Sequence, residues 1–344
     1  MRYILYNNDT PIAKFTYEKG TVSSYEPKLL NLLPMQIQNA TAEGFTLWLQ
    51  ERAIDLNVLL HRRLAADFIG SRDKVSIAIA THMYSISDTF TCFAEGEFTP
   101  REQLCRLEDQ NLVCDFILVS SDTSLRMNRV ITPNASTDGS FPKTWRYENG
   151  AWWLYKLQSS EASRSEYAIS KALHEAGWSA AVYAFDGSYR KRIKTQNFVG
   201  KNEFFEPYDS LRFMFEDRSD HEPTVYANME SLGGTYARDF RRILLADSLF
   251  MNTDRHMRNF GVIRSSVSGE ILRLAPNFDN NQAFRSNPGM LYSDAMLKDF
   301  SRLYGWTGWD DEQLSGLIIA CRAQPYLADC VAVGERFMER HSNK

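Results

Sequence analysis

The most informative stretch of the sequence is Asn-Thr-Asp-Arg-His-Met-Arg-Asn-Phe-Gly, at residues 252–261. It follows TYARDFRRILLADSLFMN, in which apolar residues recur at helical spacing, and it leads into the apolar strand GVIR. Polar and charged groups are therefore concentrated in a loop between a predicted helix and a predicted strand. Loops that a rigid scaffold holds in this way often carry binding and catalytic residues.

Three side chains in and after this loop are of the types that phosphoryl transfer from a nucleotide requires. That reaction needs a carboxylate to orient the acceptor hydroxyl, and oxygen ligands for the magnesium ion that bridges the phosphates. Asp254 and Asn259, five positions apart, could supply the carboxylate and one ligand. A second carboxylate, Asp279, follows the next predicted strand. A hairpin that turns at residues 265–270 would return Asp279 to the side of Asn259.

The charge and cysteine content exclude several classes of protein. The chain has 344 residues, with 39 basic and 43 acidic side chains and a formal net charge of -4. This balance provides no overall positive field, so direct binding to nucleic acid or to an anionic membrane is not expected. Five cysteines without CxxC spacing argue against a disulfide framework and a zinc cluster. No apolar run approaches the roughly 20 residues that span a bilayer, and no signal peptide is recognisable. We therefore expect a cytoplasmic protein.

The patterns in the first third of the chain predict both strands and helices. Residues 2–17 predict a hairpin around the turn-forming run at 7–11, and residues 42–69 predict one or two amphipathic helices. Residues 75–92 and 113–120 are typical of strands, with a buried helix over 77–84 as the alternative. An α+β fold is the expected class.

A change of composition near residue 132 marks the main predicted boundary. The run TPNASTDGSFPKTW is rich in turn formers, and the predicted strand AWWLYKL (151–157) follows it. Residues 161–176 predict a helix that ends at Gly177. From about residue 236 the pattern is mostly helical, with further helices near 294–304 and 311–340.

The loop at residues 252–261 resembles the catalytic loop of the HipA-like serine/threonine kinases, whose protein-kinase-like fold is related to that of the phosphatidylinositol 3- and 4-kinases. Its DRHxxN portion is also the form found in phosphoinositide kinases. The resemblance implies that Asp254 is the catalytic base, that Asn259 is a magnesium ligand, and that Asp279 is the second metal-binding carboxylate. Protein kinases usually have Asp-Phe-Gly at this last position. This chain has Asp-Asn-Asn at 279–281, and HipA-like kinases commonly lack that glycine.

The upstream segments have the order that the resemblance requires. Residues 136–143 would form the phosphate loop, Lys156 would neutralise the phosphates, and Glu166 would hold Lys156, with Glu161 as the alternative to Glu166. The loop has a single glycine and departs from the frequent Gly-Ala-Gln-x-Lys pattern, although Lys143 matches its lysine. The residues implied in nucleotide binding are Ser136, Thr137, Asp138, Gly139, Ser140, Lys143, Lys156, Gln196, Phe198 and His256.

Three further interpretations concern loops. Residues 196–198 would form the hinge, where backbone groups meet adenine. His256 is included among the cofactor-binding residues, although a lone loop histidine more often organises its loop through hydrogen bonds. Arg255 and Arg258 either contact phosphate or an acidic partner, or are solvated.

The resemblance also implies an architecture, cofactors and partners. It predicts a bilobal kinase-like fold with an N-terminal α/β subdomain (1–130), a small α/β lobe (131–200) and a mainly helical large lobe (201–344). ATP and Mg²⁺ would be the cofactors, and a protein with a Ser or Thr acceptor would be the substrate. Self-phosphorylation of the phosphate loop and a small helix-turn-helix partner of the antitoxin type are further implications.

Two alternatives remain open at the level of sequence. The departures in the phosphate loop would also suit a pseudokinase, or a toxin-antitoxin component that acts only by binding. The DRHxxN form would also suit a kinase for a lipid headgroup or another small molecule, although no basic membrane-binding run accompanies it.

Overall fold

The computed structural model describes residues 1–18, 20–57, 62–63, 65, 73–105, 131–136, 142–187, 192–284 and 291–341. The chain divides into two compact units. The first unit comprises Met1–Leu157, Lys194–Glu206 and Ile263–Leu272, and the second comprises Gln158–Ile193, Pro207–Val262 and Arg273–Lys344. The boundaries predicted at residues 130 and 200 stay a prediction.

Strands and helices are mixed, as the sequence predicts for an α+β protein. The strands are β1 (Arg2–Asn7), β2 (Thr10–Glu18), β3 (Thr21–Pro27), β4 (Phe90–Ala94), β5 (Lys143–Glu148), β6 (Ala151–Leu157), β7 (Tyr183–Phe185), β8 (Arg192–Gln196), β9 (Glu203–Pro207), β10 (Gly261–Ser265) and β11 (Ile271–Leu274). The helices are α1 (Ala42–Glu51), α2 (Lys74–Ala80), α3 (Arg101–Leu104), α4 (Ser160–Glu175), α5 (Tyr208–Leu211), α6 (Glu222–Ser231), α7 (Gly234–Phe250), α8 (Leu291–Tyr304), α9 (Gly308–Cys321) and α10 (Ala328–His341).

The N-terminal sheet of the first unit has the strand order β3-β2-β1-β4. The predicted hairpin is confirmed, because β1 pairs antiparallel with β2 and Asn8 takes the positive φ that the tight turn requires. Helix α1 begins where the Thr41 side chain accepts a hydrogen bond from the Gly44 N–H, and it packs Phe45 and Trp48 into the core of this sheet. Most of the predicted helical stretch after residue 57 lies outside the described residues.

The strand prediction for residues 75–92 is correct only at its end. The structure has α2 at Lys74–Ala80, which confirms the alternative of a buried helix, and β4 at Phe90–Ala94. Asp73 explains the helix start, because its carboxylate accepts hydrogen bonds from the N–H groups of Val75 and Ser76. A helix cap therefore outweighs the β-branched composition of this segment. The predicted strand at 113–120 lies outside the described residues.

Residues 30–37 pack in the first unit against the hairpin that joins β10 to β11. Arg264 is 1% exposed and pairs with Glu206, which is also 1% exposed. The Arg264 guanidinium also donates to the carbonyls of Leu33 (3.0 Å), Asn31 (2.7 Å) and Gly269 (2.9 Å). This buried arginine therefore joins the N-terminal segment to the hairpin that precedes Asp279.

Gly269 in this hairpin is expected to tolerate no side chain. It has a φ of +80°, and an added Cβ would lie 1.9 Å from the carbonyl oxygen of Asn31. Gly96 is the matched control, because its φ is +96° but nothing lies within 4 Å of an added Cβ. We expect Gly96→Ala to cost about 1–2 kcal/mol of stability, the backbone penalty alone. We expect Gly269→Ala to cost at least about 3 kcal/mol, because backbone must also move. The midpoint of urea unfolding measures the loss of stability in each variant. Equal losses in Gly96→Ala and Gly269→Ala would contradict the close contact between Gly269 and Asn31.

The second unit is mainly helical, and the helical pattern predicted from about residue 236 is present as α7, α8, α9 and α10. Helix α4 confirms the predicted helix at 161–176, and Gly177 follows it with a positive φ of 73°. The predicted helical stretch at 311–340 is two helices, α9 and α10, because the chain turns at residues 322–327, which include Pro325. Helices α4, α7, α8, α9 and α10 enclose one apolar core. Within the described residues, no helix is both long and apolar enough to cross a membrane.

Candidate active site

The loop at 252–261 is held at both ends by regular structure. Helix α7 ends at Phe250, and Met251 takes a left-handed conformation with a φ of 53°. The N–H of Asn252 then donates to the carbonyl of Asp247 (2.9 Å), which turns the chain away from the helix axis. At the other end, the N–H of Tyr208 donates to the carbonyl of Phe260 (2.9 Å), just before β10 begins. The loop therefore has a fixed entrance and exit.

Arg255 is the centre of a buried hydrogen-bond network. Its side chain is 7% exposed and forms a bidentate pair with Asp247, with two N–O distances of 2.9 Å. Nη1 donates to the carbonyl of Asn259 (2.8 Å) and to that of Phe278 (2.7 Å). One guanidinium nitrogen therefore joins the loop that carries Asp254 and Asn259 to the segment that carries Asp279.

Three asparagines complete this network. Nη2 of Arg255 donates to Oδ1 of Asn280 (2.9 Å) and to Oδ1 of Asn277 (3.2 Å). Asn252 donates from Nδ2 to Asp247 (3.0 Å) and to Asn280 (3.2 Å). All three asparagines are at most 4% exposed. Burial lowers the pKa of the Arg255 guanidinium, but Asp247 outweighs this effect and the pKa is raised overall.

The interpretation of Arg255 as a phosphate-binding, partner-binding or solvated residue is wrong. Its guanidinium is buried and fully engaged with protein groups, so it organises the site from within. The sequence contains one signal for this role. Ile243, Asp247 and Phe250 lie at helical spacing on the apolar face of α7, so the Asp247 carboxylate is buried and needs a cation.

The loop at 252–261 is itself a compact turn. The N–H of His256 donates to the carbonyl of Asp254 (2.9 Å), and the N–H of Asn259 donates to the carbonyl of His256 (2.8 Å). Nδ1 of His256 accepts from the N–H of Arg258 (3.2 Å), so His256 does organise its loop. Its predicted contact with a cofactor stays a prediction. Asp254 is exposed, whereas Asn259 is 6% exposed.

The predicted hairpin that returns Asp279 to this loop is confirmed. The N–H of Ser265 donates to the carbonyl of Glu270, and the N–H of Ala275 donates to that of Gly261, both at 2.9 Å. Asp279 has a positive φ of 60°, and its N–H donates to the hydroxyl of Tyr183 (3.1 Å). A non-glycine residue that is held at a positive φ by a contact such as this one is typical of a functional site.

The side-chain oxygens of Asn259 and Asp279 are of the type that binds magnesium. Nδ2 of Asn259 donates to the carbonyl of Asp254 (3.1 Å), which orients the amide and leaves its oxygen outside that bond. Oδ1 of Asp279 accepts from Nδ2 of Asn281 (3.1 Å). Mg²⁺ prefers hard oxygen ligands and usually takes only one or two from protein, with phosphates and water completing its shell. Within the described ranges, no group of three or more His, Cys, Asp or Glu could hold a metal.

Burial distinguishes the two candidate helix carboxylates in α4. Glu166 is 0% exposed and accepts a hydrogen bond from Nε2 of Gln158 (2.6 Å), whereas Glu161 is exposed. A buried carboxylate needs hydrogen bonds or a cation, so the structure favours Glu166 over Glu161 as the partner of a lysine. Gln158 was not among the residues that the sequence singled out.

Lys143 and Lys156 are cross-strand neighbours in the first unit. They are directly opposite each other in the antiparallel pair β5–β6, and Lys156 is 7% exposed. The two lysines therefore lie on the same face of the β5–β6 hairpin.

The remaining predicted nucleotide contacts are only partly described. Residues 137–141, which include Thr137, Asp138, Gly139 and Ser140, lie outside the described residues, and Ser136 ends a short 3-10 turn. In the predicted hinge, Gln196 ends β8, and the N–H of Asn197 donates to the carbonyl of Trp152 (2.8 Å). The Phe198 ring meets Phe205 edge to face. The nucleotide-binding roles of these residues stay predictions.

A small cavity lies on another side of Asn277. Its volume is about 10 Å³, and Trp178, Arg242 and Ile243 are among its lining residues. Nδ2 of Asn277 is buried and has no hydrogen-bond partner among the described residues. A cavity of this size has room for about one water molecule, which could accept from that amide.

Comparison with known proteins supports the kinase-like fold. No protein-family model and no curated protein matches the sequence. The HipA chain of the Shewanella oneidensis MR-1 toxin-antitoxin complex of HipA, HipB and operator DNA matches with a TM-score of 0.59 at 12% identity, over 99% of this chain and 95% of that chain. The Helicobacter pylori proinflammatory kinase CtkA matches with a TM-score of 0.43 at 15% identity, over 57% of this chain and 90% of that chain. The second likeness is too weak to carry a conclusion. The first confirms the predicted HipA-like fold.

Proposed function

We propose that the protein is an ATP- and Mg²⁺-dependent kinase that transfers the γ-phosphate to a Ser or Thr hydroxyl. The observation that carries this proposal is the Arg255 network. It joins the backbone of Asn259 to the backbone of Phe278, next to Asp279, and the Asn259 amide in turn donates to the backbone carbonyl of Asp254. Positioning and charge neutralisation are the main protein contributions to phosphoryl transfer, so a rigid arrangement of these groups is what the reaction needs.

Each residue has a distinct role in this proposal. Asp254 orients the acceptor hydroxyl, and its exposure leaves it open to a large substrate. Asn259 and Asp279 hold Mg²⁺, which when bound bridges the phosphates and neutralises their charge. Lys156 and Lys143 bind phosphate oxygens, and Glu166 is the proposed helix carboxylate. Ser136, Thr137 and Ser140 are the candidate sites of self-phosphorylation, where an added phosphate of roughly -1.5 to -2 charges would repel ATP.

The fold neighbour extends the proposal to partners. That HipA was solved together with HipB and operator DNA. We therefore propose that this chain binds a small helix-turn-helix partner, through which any DNA contact would occur. The substrate would be a protein with a Ser or Thr acceptor.

The alternative is a kinase fold retained for binding. The departures in the phosphate loop, which has a single glycine, motivate this alternative. A third candidate function is a kinase for a lipid headgroup or a metabolite. The DRHxxN form of the loop motivates it.

The test is incubation of purified protein with γ-labelled ATP, with and without Mg²⁺, followed by mapping of the label. The acceptor panel contains the protein alone, a Ser/Thr peptide mixture, inositol lipid vesicles and small hydroxyl metabolites. We expect label on protein or peptide hydroxyls only, and only with Mg²⁺. Nucleotide binding without transfer to any acceptor would support the pseudokinase instead, and label on lipid or metabolite alone would support the third candidate function.

A further inference from the structure

The backbone of Asp279 is held by a tyrosine to which the roles above give no purpose. Tyr183 begins β7, is 4% exposed, and belongs to the second unit, as do Asp254, Asn259 and Asp279. Its hydroxyl accepts a hydrogen bond from the N–H of Asp279 (3.1 Å). Asp279 has a φ of 60° at this point. The contact therefore acts on the backbone that carries the proposed metal-binding carboxylate.

The segment before Asp279 pairs with the chain that follows α4. The N–H of Asn277 donates to the carbonyl of Ser179, and the N–H of Ala181 donates to that of Asn277, both at 2.9 Å, as in a pair of parallel strands. In a regular pairing the next bond would run from the N–H of Asp279 to the carbonyl of Ala181. Asp279 turns into the left-handed region instead, and its N–H meets the Tyr183 hydroxyl. A tyrosine side chain therefore supports the backbone where the regular pairing ends.

Helix α4 keeps Tyr183 in place. The Ser170 hydroxyl in α4 donates to the carbonyl of Ala181 (2.6 Å), two residues before Tyr183. Two residues after it, the centroid of the Phe185 ring lies 4.9 Å from that of the Tyr167 ring in α4. Contacts with one helix therefore flank Tyr183 on both sides, and they fix the position of its hydroxyl.

A left-handed aspartate needs support of this kind. Left-handed backbone is unfavourable for a residue with a side chain, although aspartate tolerates it better than most, and it persists where the surrounding structure holds it. The backbone conformation sets the direction in which a side chain leaves the chain, so a relaxed backbone at Asp279 would turn its carboxylate. Mg²⁺ requires a nearly ideal octahedral arrangement of ligands. A carboxylate that is free to turn therefore binds Mg²⁺ less tightly.

We propose that Tyr183 is a positioning residue that holds the Asp279 carboxylate in place for Mg²⁺. This inference rests on the proposed function, because the metal-binding role of Asp279 is part of it. The hydroxyl of Tyr183 contacts the backbone of Asp279, so its effect on the metal passes through that residue. Loss of the hydroxyl should raise the Mg²⁺ requirement and should leave the maximal rate nearly unchanged, because Asp254 is not affected.

The test variant is Tyr183→Phe, which removes the hydroxyl and keeps the ring. Tyr226→Phe is the matched control, because the Tyr226 hydroxyl also accepts a hydrogen bond within the second unit, from Nη1 of Arg241 (2.7 Å). A general effect of a lost hydroxyl on stability would appear in both variants. Tyr183→Phe is also combined with Asp279→Ala, which removes the carboxylate through which the hydroxyl is proposed to act.

The first readout is the rate of transfer from γ-labelled ATP to the acceptor that the wild type labels, over a range of Mg²⁺ concentrations. We expect Tyr183→Phe to raise the Mg²⁺ concentration at half-maximal rate about three- to tenfold, which corresponds to one lost hydrogen bond. Its kcat at saturating Mg²⁺ should stay within about twofold of the wild type, as expected when binding alone is weakened. Equal Mg²⁺ requirements in Tyr183→Phe and Tyr226→Phe would overturn the positioning role.

The second readout does not depend on transfer. Equilibrium dialysis measures the gain in affinity for a non-hydrolysable ATP analogue when Mn²⁺ is added, since Mn²⁺ binds oxygen ligands as Mg²⁺ does. We expect this gain to be about three- to tenfold smaller in Tyr183→Phe than in Tyr226→Phe. In the Asp279→Ala background, Tyr183→Phe should cause no further decrease. A further decrease of the same size would show that the hydroxyl does not act through the carboxylate, and the proposal would fail.

The two readouts separate this inference from the proposed function. A wild type that transfers no phosphate, together with a smaller Mn²⁺-dependent gain in Tyr183→Phe, would refute the kinase and support Tyr183 as a positioning residue of a metal site used for binding. A wild type that transfers phosphate, together with equal gains in the two tyrosine variants, would support the kinase and refute the role of Tyr183. A wild type with neither transfer nor a Mn²⁺-dependent gain would refute both.

Discussion

Asp279→Ala is expected to abolish phosphotransfer, with a loss in kcat/KM of at least about 1000-fold, equivalent to about 4 kcal/mol of transition-state stabilisation. The reason is electrostatic. In the proposed reaction Asp279 is the carboxylate that holds Mg²⁺ against the charge developing on the phosphates, and no water molecule replaces a fixed anionic ligand. Asp254→Ala is expected to lower kcat/KM by a similar factor, because the acceptor hydroxyl would no longer be oriented.

Label transfer from γ-labelled ATP over a range of Mg²⁺ concentrations measures this effect. A weakened metal site would show a raised Mg²⁺ requirement as well as a reduced maximal rate. Asp299→Ala is the matched control, because the Asp299 side chain is 61% exposed and pairs only with its helix neighbour Arg302 within the described part of the chain. Equal Mg²⁺-dependent turnover in the wild type and in Asp279→Ala would refute the assignment of Asp279.

Arg255→Met is expected to destabilise the protein by about 3–5 kcal/mol, because it leaves the buried carboxylate of Asp247 without its cation. Activity should fall as well, since the guanidinium also holds the carbonyls of Asn259 and Phe278. Chemical denaturation and label transfer measure the two effects on the same sample. Arg258→Met is the control for stability. The Arg258 side chain is 45% exposed, so its replacement should lower the free energy of unfolding by less than about 1 kcal/mol.

A double variant separates the two roles of Arg255. Replacing a buried ion pair by apolar residues of similar volume is often neutral for stability. Arg255→Met combined with Asp247→Leu should therefore regain most of the lost stability. Its activity should stay low, because neither new side chain can donate to the two carbonyls. Recovery of activity together with stability would show that Arg255 matters for folding alone.

Local patterns explain which parts of this molecule could be predicted from sequence. The strand β6, the helix α4 with Gly177 after it, and the hairpin at 265–270 each follow from spacing and turn residues within a few positions. The order of Asp254, Asn259 and Asp279 followed from the loop sequence, and the structure brings their segments together through Arg255. These features depend on residues that are close together in the chain, so they can be predicted from the sequence.

The parts that were missed depend on contacts between distant segments. The sequence places Arg255 in a loop, and it does not show that its partners Asp247 and Asn277, which come from different elements, are buried around it. The donor that Gln158 offers to Glu166 has no sequence pattern of its own. Helix α2 was obscured by its β-branched residues, although the cap at Asp73 was a usable signal.

The buried arginine of the first unit bears on whether the N-terminal part of the chain is a separable module. Arg264 follows the loop at 252–261 in sequence, yet it donates to the carbonyls of Asn31 and Leu33, more than 200 positions earlier. A fragment that begins at residue 131 would leave these donors and the Arg264–Glu206 pair without the groups that now cover them. Removing the first 130 residues would therefore take two acceptors away from a buried arginine, and we expect a fragment that begins at residue 131 to be less stable than the full chain.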